Sequence, residues 1–357
     1  MKFAVISPHY GYINRGVEIT VRELVKRFRK KGHKVDIIGL GSQSDIKIKG
    51  LMKSKGIGKI SDQFAEKTMF GGFMRHYIGL TPHTEDLVFS LKMYDKLNGG
   101  YDFIWSEGEI WEAIACNKFR KETGTPYIVS FNGPTGAMMK KEAQLLSDVF
   151  IVLTPEMKEW VQKEVPKCNV VQITHGVDTD FFNPYVKPLF DINKYEHPII
   201  ASTSALVKGK NIDLIIKAMK DRGSLFVTSD GPIKNRIVKM GKEIMGDRFH
   251  YLGVIPFEDL PKLYTASDAL ILATKNEPYG TVLLEAMACN IPVITRRDKT
   301  REWMVGEGGV LLEDFDELKK IVRDIHWRDW QNRPREQAVE FDWSRTVKEY
   351  EQVMKSI

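Results

Sequence analysis

The 357-residue sequence is poor in cysteine, has no long apolar run and carries no strong excess of either charge. Its three cysteines, Cys116, Cys168 and Cys289, are too few and too scattered for a disulfide framework or a cysteine metal site, which points to a reducing, cytoplasmic setting. No stretch approaches the ~18–20 apolar residues of a membrane span. Met1-Lys2-Phe3 enters a strand pattern at once, so no signal peptide is expected. The net charge of +6, from 53 Lys and Arg against 47 Asp and Glu, gives no ground for a nucleic-acid partner. It suits an anionic substrate or a membrane surface. What remains is 43% apolar and 28% charged, the composition of a folded chain, at a length that implies two domains.

The first forty residues read as one strand–helix–strand unit. Lys2 to Ser7 is a short apolar run, and a polar loop with glycines follows. Val17, Ile19, Val21, Leu24, Val25 and Phe28 then recur at roughly helical spacing. Lys30, Lys31 and Gly32 close that helix with cations and a glycine, as its dipole and a left-handed C-terminal position favour. Val35 to Leu40 is the second strand. Such a unit makes a parallel sheet, with function at the carboxyl ends of its strands.

Further strands are expected at 103–105, 126–131, 149–153 and 170–173, and a second alternating series at 199–203, 224–228, 248–252, 269–273, 291–295 and 309–312. Prolines at 184, 188 and 198 mark the linker between the two. The expected division is therefore 1–185 and 186–342, with an amphipathic helix over 343–357 joining the first domain. The predicted fold class is α/β, with two Rossmann-like domains of parallel strands.

Between Gly41 and Leu80 the alternation breaks, and seven Lys or Arg stand against three acids, interleaved with Ile, Leu, Met and Phe. Two readings stand for this stretch. It contacts an anionic membrane surface or a lipid-diphosphate acceptor, or it is a solvated loop with a packed helix.

The segment with most chemical content is Asn276-Glu277-Pro278-Tyr279-Gly280-Thr281-Val282-Leu283-Leu284-Glu285-Ala286-Met287-Ala288. It follows a strand and turns into strong helix formers. Such a junction aims free N–H groups and the positive end of a helix dipole outward, where a phosphate can sit. Gly280 removes a side chain where a ligand oxygen would approach the backbone. Two carboxylates beside an anion site would repel the anion unless they accept hydrogen bonds from neutral donors, and sugar hydroxyls are such donors.

This segment resembles the E-x7-E signature of the retaining GT-B glycosyltransferases of family four, the glycosyl transferases group 1. The resemblance extends over nearly the whole chain. Gly231-Pro232 resembles the family's turn after its second strand in this half; Tyr251 to Val254 and Ser267-Asp268 resemble the segment before the signature. Ile291 to Ile294 is similar to the strand after it, Arg15-Gly16-Val17-Glu18 to the glycine-rich acceptor-side loop, and His175-Gly176-Val177-Asp178 to the motif that closes the first domain.

The resemblance implies two domains facing across a cleft, the last helix crossing back to the first domain, and transfer of a hexose from a nucleoside-diphosphate sugar to an acceptor hydroxyl with retention of configuration. It implies that Glu285 holds the ribose, Glu277 a hydroxyl of the donor sugar, and the amides of Tyr279, Gly280 and Thr281 the diphosphate. Val254 and Ile255 would hold the base, with Gly231 nearby; Lys210, with Lys208, would stabilise the leaving phosphate. Gly16, Glu18 and Glu107 would face the acceptor, a sugar, glycan or lipid-linked hydroxyl. On residue chemistry, Trp105 and Trp111 with Glu107 and Glu109 line an acceptor pocket, because aromatic faces and carboxylates suit sugars, or the two tryptophans pack in the core. No metal and no cofactor are expected. The family's arginine five residues before the lysine is here Ala205, and its histidine after the 127–131 strand is here Asn132, counted with Lys210 and Glu277 among the catalytic candidates. These departures leave two alternatives: a catalytically impaired nucleotide-sugar-binding protein, or another GT-B enzyme such as a phosphorylase or epimerase. The setting implied is cytoplasmic, with membrane association through 41–80.

Overall fold

A computed structural model describes residues 1–11, 16–49, 84–107, 110–275, 277–324 and 330–357. The loop residue Arg15, most of the basic segment 41–80, Glu109 and Asn276 lie outside these, and so do the expectations placed on them. The chain forms two compact units, Met1–Thr174 with Thr346–Ile357, and His175–Arg345.

In the first unit, strands β1 (Lys2–Ile6), β2 (Lys34–Gly39), β3 (Ile46–Lys47), β4 (Phe103–Ser106), β5 (Tyr127–Phe131), β6 (Val149–Val152) and β7 (Val170–Gln172) form one parallel sheet in the order β3-β2-β1-β4-β5-β6-β7. Helices alternate with the strands and cover them, so β4, β5 and β6 are buried along their whole length. The helix Gly16–Lys30 buries Val21, Leu24, Val25 and Phe28 and ends at Gly32, whose φ of +88° is the left-handed conformation expected there. β3 was not foreseen. Asp45 holds this edge strand in place by accepting from the backbone N–H of Ile37 (2.8 Å).

Aromatic packing ties the C-terminal helix, Trp343–Ser356, to this sheet. Phe3 stacks on Phe103 with centroids 4.6 Å apart, and Tyr350 lies 4.8 Å from Trp105. Trp105 is fully buried and donates its indole N–H to Ser130 Oγ (2.8 Å). Of the two readings for Trp105, core packing holds.

In the second unit, β8 (Ile199–Ser202), β9 (Ser224–Thr228), β10 (Phe249–Gly253), β11 (Ala269–Leu272), β12 (Val293–Arg296) and β13 (Gly309–Leu312) form a parallel sheet in the order β10-β9-β8-β11-β12-β13. Ile200, Leu225, Val227 and Ile271 meet Ile212, Ile215 and Ile216 of the helix Ile212–Ala218 in its core. The strand order reverses between β8 and β11 here, and between β1 and β4 in the first sheet. Connections leave the two strands at such a point in opposite directions and open a crevice at their carboxyl ends.

The division falls at 174/175, not 185/186, and the returning segment begins at 346, not 343. The prolines after 183 misplace it because 175–183 is fastened to the second unit by contacts distant in sequence. Val177 pairs with Asp342, Arg335 donates to the carbonyls of Thr179 (3.1 Å) and Phe182 (3.2 Å), and Gly176 packs against Trp343. The motif His175–Asp178 thus opens the second unit instead of closing the first.

Candidate functional site

Four neighbouring strands, in sheet order β10-β9-β8-β11, end on one edge of the second unit. The loops leaving them carry the donor-side candidates. Lys208 and Lys210 lie in a 3-10 turn after β8, Gly231 after β9, Val254 and Ile255 after β10, and Glu277 to Thr281 after β11.

Each loop is held by a specific device. Asn211 adopts the left-handed conformation (φ +50°) that asparagine tolerates, and its Nδ2 donates to the carbonyl of Ala273 (2.8 Å). That bond ties the β8 loop to the end of β11 and brings Lys210 beside Glu277, whose Oε2 accepts from Lys210 Nζ. Gly231 is required by close approach, because a Cβ there would lie 2.3 Å from the carbonyl oxygen of Leu206. Gly280 has φ +88° and stands at the N-cap of the helix Thr281–Ala288. The N–H groups that open this helix therefore begin where the signature predicted. Tyr279 is buried, with its hydroxyl donating to the carbonyl of His175 (2.8 Å), so only its backbone remains for a ligand. Val254 is 74% exposed, an unusual position for a large apolar side chain. Lys208 is exposed and Ile255 half-buried.

Glu285 stands in the second turn of the 281–288 helix. Its Oε2 accepts from the hydroxyl of Tyr264 (3.0 Å), which also lies 3.2 Å from Thr203 Oγ1. Burial pushes the Glu285 carboxyl up to about 7, and the Tyr264 bond offsets part of that rise. Near neutral pH it populates both forms, so it can accept from a hydroxyl or donate to one.

Besides the roles of Asn211 and Tyr264, the sequence reading missed Arg301 altogether. Arg301, only 4% exposed, donates Nη2 to the main-chain carbonyl of Glu277 (2.5 Å) and Nη1 to Asp298 Oδ2 (2.6 Å). Asp298 also caps the helix Lys299–Val305 by accepting from the Arg301 N–H (2.9 Å). The spacing Asp298-x-x-Arg301 was the available signal, but nothing in it points 24 residues back to Glu277.

A cavity of about 530 Å³ opens at the carboxyl ends of β1, β4 and β5 in the first unit, where Ser7, Glu18, Glu107, Asn132 and Glu142 reach its wall. Glu107 is 5% exposed, and its Oε2 accepts from Asn132 Nδ2 (2.7 Å). Burial pushes its carboxyl up to about 8, against the Asn132 and Ser130 bonds, and the charge of Glu18 adds to the rise. It is a neutral acid at pH 7. Gly16 is exposed at the first turn of the helix that carries Glu18. Asn132 therefore groups with the acceptor-side candidates Glu18 and Glu107, while Lys210, Glu277 and Glu285 group in the second unit.

Two Asp-x-Asp spacings, Asp178-Thr179-Asp180 and Asp314-Phe315-Asp316, are turn formers. Asp178 Oδ1 accepts from the Phe181 N–H (3.0 Å), and Asp314 Oδ1 from the Asp316 N–H (3.2 Å). Among the described residues no helix is long and apolar enough to cross a membrane.

Two parallel Rossmann-like sheets in one chain are the architecture of the GT-B fold. The Glycosyltransferase Family 4 model matches residues 14–181 and the Glycosyl transferases group 1 model residues 190–328. The chain belongs to this glycosyltransferase family. A probable sucrose-phosphate synthase of Thermosipho melanesiensis is 26% identical over 235 residues, 60% of this chain and 52% of that protein. The chain thus aligns with about half the length of this relative. Among solved structures, a sucrose-phosphate synthase from Thermosynechococcus elongatus superposes with a TM-score of 0.76 at 18% identity, over 99% of this chain and 98% of that one. Anabaena HepE, solved in complex with UDP and glucose, superposes with a TM-score of 0.73 at 15% identity over the full length of both. At these identities the likeness to solved structures speaks for the fold alone.

Proposed function

We propose that the chain transfers a hexose from a nucleoside-diphosphate sugar to an acceptor hydroxyl, retaining the anomeric configuration. One observation carries this reading: the adjacent ends of β8 and β11 bring Lys210, Glu277, the 281–288 helix N-terminus and Glu285 to one edge of one sheet. The amides of Tyr279, Gly280 and Thr281 bind the diphosphate, and the dipole of the helix they open favours its charge. Glu285 takes the ribose hydroxyls and Glu277 a hydroxyl of the sugar. Val254 and Ile255 cover the base, and Gly231 lets the backbone come close. HepE was solved with UDP, which supports a nucleoside diphosphate as the leaving group.

When the bond from the anomeric carbon to the phosphate breaks, its electron pair stays on the phosphate oxygen. Lys210, with Lys208 beside it, offsets that charge in place of the arginine that Ala205 replaces. The acceptor oxygen bonds to the carbon on the same face, and its proton passes to the leaving phosphate. No side-chain base is needed, so Asn132 in place of a histidine is no obstacle. The acceptor hydroxyl binds in the first-unit cavity, where Glu107 and Glu18 meet hydroxyl groups. The donor is held without metal, in the cytoplasm, and the basic residues of 41–80 support peripheral contact with an anionic membrane.

Calorimetric titration with UDP, GDP and their glucose and mannose conjugates, followed by donor turnover, tests the reading. Binding and turnover with one pair support it. Affinity without turnover against any acceptor favours a binding protein, and interconversion of the donor without acceptor favours an epimerase.

A further inference from the structure

We propose that Arg301 is a positioning residue for the donor sugar, acting through the main chain of Glu277. This rests on the donor-site reading of Glu277 given above. A buried guanidinium is costly unless its donors are satisfied, and capping the 299–305 helix does not require one: Asp298 does that with the Arg301 N–H alone. The side chain nevertheless stays 4% exposed and spends its fork on two groups, Asp298 Oδ2 and the carbonyl of Glu277. Its planar geometry fixes both directions at once, which an ammonium cannot do.

The consequence falls on Glu277. Its neighbour Pro278 has no N–H to anchor the loop and disfavours a helical backbone at the residue before it. With the Glu277 carbonyl pinned by Arg301, the side chain leaves toward Lys210. Two further bonds hold the same loop, Asn211 Nδ2 to the Ala273 carbonyl (2.8 Å) and Tyr279 OH to the His175 carbonyl (2.8 Å). These hold its ends, and Arg301 alone of the three grips Glu277. A small displacement of a sugar-contacting group is enough to lower turnover about 100-fold, so the grip on Glu277 bears on the sugar.

A double-mutant cycle with the full chain separates positioning from mere stability. The probes are UDP and GDP with their glucose and mannose conjugates. Arg301→Met is expected to lower kcat/KM for donor turnover about 10- to 100-fold, while affinity for the sugar-free nucleoside diphosphate stays within about twofold. In a Glu277→Ala background the same substitution is expected to cost less than about threefold, because the group it positions is gone. Arg301→Lys, which keeps the charge without the fork, is expected to recover thermal stability but not turnover; should Arg301→Met fail to fold, this variant carries the cycle. Equal losses in both backgrounds, or equal loss of affinity for nucleoside diphosphate and nucleotide sugar, overturn the proposal. If Glu277→Ala itself leaves turnover unchanged, the donor-site reading fails instead.

Discussion

The two sheets share a strand order, β3-β2-β1-β4-β5-β6 in one and β10-β9-β8-β11-β12-β13 in the other, yet their crevices carry opposite chemistry. At the first, buried carboxyls line a cavity, and one of them stays protonated at neutral pH. At the second, lysines and the N-terminus of a helix stand among the acids, with Lys210 donating to Glu277 and Tyr264 to Glu285. Topology therefore decides where a ligand is met, and the few residues after each strand decide which ligand.

The largest expected effect breaks the second crevice. Lys210→Ala should lower kcat by about 100- to 1,000-fold, the scale for removing one group that stabilises developing negative charge. Its effect on KM should be far smaller; equal effects on both would mean uniform binding and no help to the leaving group. Glu285→Ala should weaken nucleoside-diphosphate binding by about 1.5–3 kcal/mol, the range for a hydrogen bond to a charged group, as read by calorimetry.

The first crevice is sharpened by charge. Glu18, Glu107 and Glu142 are each 5% exposed or less along the cavity, and a phosphorylated acceptor would bring its dianion beside them. A free hexose should therefore accelerate donor turnover more than the same hexose as its 6-phosphate. The reverse order would move the acceptor to a different surface.

A last effect is on stability. The folded chain holds the Glu107 proton up to about pH 8, whereas an ordinary glutamate loses it near 4.5. The folded state thus binds more protons in that window, and stability falls as pH rises through it, by at most ~1.4 kcal/mol per unit from this group. Glu107→Gln should reduce that slope in chemical denaturation between pH 5 and 8, leaving the part that Glu285, also raised by burial, contributes. An unchanged slope would assign the whole effect to other groups.

Much of this was legible in sequence because it is local. Alternation of apolar runs with helical spacing gave both sheets, and Gly280 with the helix formers after it gave the N-terminus at Thr281. The linker was misplaced because proline marks a turn and not a boundary; Arg335 and Trp343, more than 150 residues on, decide where 175–183 belongs. Arg301, Tyr264 and Asn211 escaped for the same reason. Each acts on a group 21 to 62 residues away, a distance over which no periodicity carries information. Trp105, for which sequence left a sugar-facing and a core position both open, lies in the core.

The most direct test of the account is a crystal structure of the chain soaked with the nucleoside diphosphate that binds it. The expected result is a diphosphate within about 3 Å of the amides of 279–281, with the ribose on Glu285. A diphosphate bound elsewhere, with Lys210 and Glu285 untouched, would contradict it.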